Sequence, residues 1–260
     1  MNKYTRNTES IRRSSEDMRL TTSTPHIIEV DPREVVSLDF GNVHAVVDTW
    51  ECSLVRITPN IYFNSYVELL NEKNFILFDY ESYLEDKLYV SERAGFTVKI
   101  PSCAALSLVA GQSSIRGGNL LKVKSHQMAF KSCTMLDNFQ AFGDYVSVQN
   151  TTLGKHCVLN ARTNVLRHCS FSTLILNGNR KYSDMSVELR NVRGEGVWLG
   201  NQQLWRINAH FHSVRLNRFV MEAGAEEGSV ILEGSKIARI ENKSVIPIKK
   251  NVLGYHRDCA

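Results

Sequence analysis

Short apolar pairs with one residue between them recur for more than a hundred residues: Leu106/Leu108, Leu121/Val123, Met128/Phe130, Val146/Val148, Leu174/Leu176, Val187/Leu189, Trp205/Ile207, Val214/Leu216 and Val230/Leu232. Alternate side chains of an extended chain share a face, so each pair supplies two inward residues of a short strand. Gly, Ser, charged residues and a series of Asn (Asn119, Asn150, Asn160, Asn177, Asn191, Asn217) separate the pairs and suit turns. No 3.6-residue period interrupts the series, which argues against a helical core. Short strands at near-even spacing close into a sandwich, a barrel or a stacked solenoid. A spacing that wanders from about a dozen to about twenty residues fits a β-helix whose loops vary while its inward positions stack. The expected fold is mainly β: an irregular right-handed β-solenoid preceded by β-hairpins, with a β-sandwich as the alternative.

Residues 1–25 are rich in Ser, Thr and charge and cannot bury enough surface to offset their ordering entropy, so they read as a disordered tail. Beyond Pro25, Val36, Leu38 and Phe40 alternate with polar residues, Gly41-Asn42 follows, and Val43, Ala45 and Val47 resume the alternation. Two such runs around Gly-Asn predict a hairpin. "CSLVRI" continues as strand, "YVELLNEKN" is the one place where a short helix competes, and "DKLYV" with "FTVKIP" predicts a second hairpin. The resulting organisation is a tail (1–25), an acidic β-hairpin section packed on the body (26–97), a basic β-solenoid body (98–235) and a basic C-terminal segment (236–260).

The stretch "VKIPSCAALSLVAGQSSIRGGNLLKVKS" resembles the entry to the adhesin-head β-helix of the GIN-domain family. The matching positions are Ile100-Pro101, Leu106, Leu108, Gly111, Ile115 and Gly117, mainly within residues 98–125. The resemblance implies the β-helical fold. The small Gly-Ser repeats of that family do not continue after residue 118.

Net charge is only +4, but residues 26–97 sum to −8 while 98–235 sum to +6 and 236–260 to +4. Such asymmetry points to a protein partner or self-association, or to nucleic acid. No apolar run approaches the ~20 residues of a membrane span, so no membrane insertion is expected. The opening residues lack a hydrophobic export core and carry Glu9, Glu16 and Asp17, which predicts a cytoplasmic protein, or one carried inside a particle. The six cysteines are widely spread, without CxxC, and read as small buried residues rather than a disulfide framework.

"HCVLNARTNVLRHC" carries His156-Cys157 and His168-Cys169 twelve positions apart. These are zinc-ligand types, but zinc knuckles hold their pairs two to four residues apart, and adjacent residues of a strand face opposite ways. Consecutive rungs of a solenoid are the expected reading, with cysteines inside and histidines outside. His210 and His212 share a strand face, yet the sequence indicates no third ligand. The acids of residues 98–235 are isolated except for Glu226-Glu227, and Gly-x-Ser-x-Gly, phosphate-loop, Rossmann and His-Glu-x-x-His motifs are missing, so no catalytic residue and no cofactor is assigned.

The basic body offers anion-contact candidates: Arg162, Arg167, Arg180, Lys181, Arg190, Arg193, Arg206, Arg215 and Arg218. Guanidinium forks suit phosphate or carboxylate, and Tyr182, Trp198, Trp205 and Phe211 lie among them. The function expected from sequence is a non-catalytic structural or interaction protein, such as a viral or phage particle or assembly component. A single-stranded RNA- or DNA-binding protein using the Arg-rich face is the alternative, and a carbohydrate-active or carbohydrate-binding β-helix comes third.

Overall fold

The structure is a computed structural model that describes residues 18–20, 25–59, 67–72, 74–78, 95–179, 181–200, 204–222 and 224–251. The chain winds as a β-solenoid: strands alternate between two sheets, and successive coils lie parallel within each sheet. Among the described residues there is no helix, hence none long and apolar enough to cross a membrane. Two compact units divide between Thr134 and Met135.

The first unit opens with β1 (Met18–Leu20) and β2 (His26–Glu29) and makes its first coil from β3 (Val35–Asp39) and β4 (His44–Trp50). An excursion follows through β5 (Leu54–Pro59), β6 (Val67–Glu72), β7 (Phe75–Phe78) and β8 (Gly95–Pro101). Winding resumes with β9 (Ala105–Val109), β10 (Gln112–Arg116), β11 (Asn119–Lys124) and β12 (Gln127–Lys131). β3 lies parallel beside β9 and β4 parallel beside β10, with Val36 opposite Leu106 and Val47 opposite Ile115. On the other side of that coil β7 and β8 add one parallel strand to each sheet, and the outermost pairings, β6–β1 and β5–β2, are antiparallel.

Several expectations change here. Gly41-Asn42 does not turn a hairpin, because β3 and β4 belong to different sheets. Gly41, at φ 56, is a coil corner. Winding therefore begins at Val35 instead of residue 98. "FTVKIP" pairs with β4 and β5, while "DKLYV" lies outside the described residues. Residues 67–72 are strand rather than helix, and within the expected tail Met18–Leu20 pair with them.

The second unit alternates β13 (Thr134–Phe142), β14 (Tyr145–Gln149), β15 (Thr152–Leu153), β16 (Cys157–Asn160), β17 (Thr163–Arg167), β18 (Ser170–Asn177) and β19 (Asp184–Arg190). It continues through β20 (Arg193–Leu199), β21 (Arg206–His212), β22 (Arg215–Met221), β23 (Glu227–Glu233), β24 (Lys236–Asn242) and β25 (Ile248–Asn251). Its coils lengthen and then shorten: Val146 lies beside Asn164, Asn164 beside Val187, Val187 beside Ala209 and Ala209 beside Val230. The uneven spacing of the apolar pairs comes from these loops, which leave the inward registers undisturbed.

Inward residues stack into columns. Leu166, Leu189, Phe211 and Leu232 form one, and Leu174, Val197, Phe219 and Ile240 face it from the other sheet. Phe211 and Phe219 meet across the core edge to face, their centroids 5.1 Å apart. Each buried side chain of this size contributes roughly 1.5–3 kcal/mol, so the columns carry the stability. Lys250 follows Leu232 in the first column, and Asn242 follows Met221 in the column beside the second, which itself reaches Ile240.

Two of the sequence pairs sit differently. A bulge at Leu120/Lys122 turns Leu120 inward with Val123 and leaves Leu121 half-buried, and Trp205 is 49% exposed while Ile207 is buried.

Candidate anion-binding corner

One corner repeats through the second unit. A strand of one sheet ends, a single residue takes a left-handed conformation, the next turns inward, and the strand of the other sheet begins. The left-handed residues are Asn150, His168, Asn191, Ser213 and Gly234, with φ of 50°, 54°, 52°, 54° and 56°. That conformation costs a non-glycine residue about 1–2 kcal/mol. A ladder of backbone bonds holds it: the amides of Asn150, His168, Asn191 and Ser213 donate to the carbonyls of Arg167, Arg190, His212 and Glu233 one coil on, at 2.9–3.1 Å.

The inward corner position explains the cysteines. Cys169 Sγ donates to the Arg167 carbonyl at 3.2 Å, as Thr151 Oγ1 donates to Gln149 and Ser235 Oγ to Glu233. Cys133 does the same in the first unit, toward Lys131. Cys157 donates to Gly154 behind His156, another left-handed residue. The two His-Cys pairs are therefore alike locally, but they lie within one coil and not on consecutive rungs: Cys157 registers with Leu174, while Cys169 precedes Ser170. Among the described residues no group of three or more His, Cys, Asp or Glu is arranged to hold a metal. Burial pushes the Cys133 and Cys157 thiols up to about 11, against the thiolate form a metal or an electrophile needs. At about pH 8, alkylation of native protein followed by mass spectrometry is expected to label exposed Cys103 well before Cys133, Cys157 or Cys169.

The outward face is mostly a set of ion-pair columns joining adjacent coils. Arg162 pairs with Asp184 at 2.9 Å, Arg167 with Glu188 at 3.0 Å, Arg206 with Glu227, and Arg218 with Glu241 through two bonds of 2.8 Å. His210 and His212 both reach Glu233 at 3.1 Å, and Lys243 reaches Glu222 at 3.2 Å. Hydrogen bonds from Arg206, from His212 with His210, and from Arg218 hold the Glu227, Glu233 and Glu241 carboxyls below the usual range. A depressed folded-state value stabilises above the unfolded value, and that contribution disappears as pH falls through the depressed one. The melting temperature is thus expected to drop below about pH 4.3, and more shallowly in the triple Glu→Gln variant at 227, 233 and 241, as followed by circular dichroism.

Of the nine cations named from sequence, Arg162, Arg167, Arg206 and Arg218 are taken up by these pairs. Lys181 and Arg162 flank the Tyr182 ring at 5.3 and 5.0 Å, and Arg180 lies outside the described residues. Trp198 is half-buried with Arg218 over it at 5.5 Å, Trp205 is exposed away from any core, and Phe211 is core. What remains is different in kind. Arg193, Arg215 and Lys236 open β20, β22 and β24 in direct register, all three exposed and none with a carboxylate partner among the described residues.

Together with the corner residues His168, Asn191 and Ser213, these three cations line a groove of about 700 Å³ that follows the corner. Among the described residues no acidic one lines it, and the nearest acid on β20, Glu195, accepts a hydrogen bond from Asn217 at 2.6 Å. Arg190, likewise exposed and unpaired, stands across the corner from Arg193. By sequence Lys236 falls in the separate C-terminal segment, 236–260. The signal that places it here is the coil repeat, since Arg193, Arg215 and Lys236 follow at intervals of twenty-two and twenty-one residues, beside Asn191, Ser213 and Gly234. No family model matches the chain, and no curated protein matches it.

Proposed function

We propose that the protein is a non-catalytic β-solenoid interaction protein that holds an extended anionic partner along its corner groove. The observation that carries this reading is the column Arg193, Arg215, Lys236. Beside ion-pair columns in which a cation has its acid one coil away, this column stacks like charge on like charge in direct register. Neighbouring strands lie about 4.8 Å apart, so such stacking is unfavourable until an anion lies along it. A straight row of charges on a rigid scaffold suits a linear polymer better than a single small anion. Among the described residues its lining holds one imidazole, His168, and no carboxylate to partner it, while burial raises the Cys169 thiol above its ordinary value, which favours holding over catalysis.

The test uses immobilised heparin as a general polyanion. Native protein is expected to bind at low salt and elute in a gradient. Arg193→Glu/Arg215→Glu should pass through unretained. Arg162→Glu/Arg206→Glu, which changes net charge by the same amount at paired positions, should elute close to native. Melting curves confirm that both variants are folded. Equal loss in the two variants would reduce the groove to bulk charge and defeat the proposal.

A further inference from the structure

Resting on that reading, we infer that the groove takes the phosphate backbone of a nucleic-acid strand and reads no bases. The backbone amides of the corner are already spent on the inter-coil ladder, Asn191 on His212 and Ser213 on Glu233, so the corner is no phosphate nest for a single anion. Recognition falls to the side chains, two of them guanidinium forks that match phosphate oxygens. The three cations span two coil steps, roughly 9.5 Å at strand spacing. Three successive phosphates of a duplex strand rise about 6.8 Å and four about 10.2 Å, so the cation row is somewhat sparser than the phosphates and runs along three to four of them.

The rest of the groove argues for backbone-only contact. Among the described residues no Phe, Tyr or Trp lines it, so these supply no platform on which a base or a sugar ring stacks. Its corner side is Asn191, Ser213 and Gly234, small and polar, while the apolar residues Phe171, Leu216 and Ile237 line a separate cavity of about 1020 Å³ on the other side of the three cations. The exposed aromatics among the described residues, Phe142, Tyr145 and Trp205, and the half-buried Tyr182 are not among the lining residues.

The experiment is fluorescence anisotropy of the full chain with labelled (dT)20, (dA)20, a mixed-sequence duplex and polyglutamate, across a salt series. Three phosphate contacts predict log–log salt slopes of about −2.1 for the single strands and about −2.7 for the duplex. (dT)20 and (dA)20 should bind within about threefold of each other, since phosphate contacts carry no sequence information. Arg193→Lys/Arg215→Lys, which keeps charge but loses the forks, should weaken nucleic-acid binding several-fold, and the corresponding Glu variant should abolish it. Polyglutamate bound as tightly as (dT)20 would make the partner a carboxylate polymer, overturning this inference while leaving the broader function standing. A tenfold preference between (dT)20 and (dA)20 would overturn the base-blind contact. No binding of any polymer at low salt would overturn both readings.

Discussion

Val187→Asp is expected to unfold the second unit. Val187 is 2% exposed and stands between Asn164 and Ala209 in an inward column, with Val230 one coil further on. A carboxylate there has no cation within the core, and burying an unpaired charge costs several kcal/mol even after the group neutralises itself. Domains of this size hold about 5–15 kcal/mol in total. Loss of the far-UV β signal, or a melting transition that vanishes, is the predicted outcome. Leu108→Asp, at 1% exposure in the first unit, is expected to do the same there. A folded Val187→Asp protein melting within a few degrees of native would mean that the columns are not the core.

The second large effect comes from one methyl group. Gly111 is the first residue after the Leu106/Leu108 strand and its buried neighbour Ala110. Its amide donates to the Val43 carbonyl at 2.9 Å, and its own carbonyl accepts from the His126 amide at 2.8 Å and from Ser125 Oγ at 3.0 Å. Held from both sides, the backbone cannot retreat. A Cβ at this position would lie 2.0 Å from the Asn42 carbonyl oxygen and 2.6 Å from its carbon. Those atoms belong to the preceding coil's corner and are backbone, with no rotamer to change. Gly111→Ala is predicted to cost about 3 kcal/mol, the upper end for overpacking, as a lower denaturation midpoint at unchanged slope. A loss under about 0.5 kcal/mol, the range of neutral surface changes, would show that the two corners do not touch.

The inward pairs were legible because a strand alternates faces whatever its partners are. Val187/Leu189 and Leu174/Leu176 need only a period of two to be read as core. Asn150 and Asn191 likewise advertised corners, since Asn tolerates the left-handed conformation. Partnership was not legible. Gly41-Asn42 between two alternating runs looks the same whether those runs pair with each other or, as here, with strands near residues 105 and 112. Local turn chemistry carries no information about a partner seventy residues away. The cysteine question had the same form: His156 and His168 share a backbone conformation, but only the register shows that their pairs lie in one coil.

The basic face was legible as composition and misleading as a site. Arg162 and Arg167 look as available as Arg193 and Arg215 until coil lengths place Asp184 and Glu188 beside the former and nothing acidic beside the latter. Coil length in this chain varies with each loop, so the pairing of outward residues cannot be counted from sequence by one fixed repeat. Once the registers are known, the unpaired column stands out.

Arginine footprinting tests that column most directly. Native protein, alone and saturated with (dT)20, is modified with phenylglyoxal and its labelled peptides are quantified by mass spectrometry. Arg193 and Arg215 are predicted to react readily in the free protein and to be protected several-fold by the ligand. Arg162 and Arg206, bound to Asp184 and Glu227, are predicted to react slowly and equally in both. Protection of Arg162 and Arg206 with Arg193 and Arg215 left reactive would contradict the account.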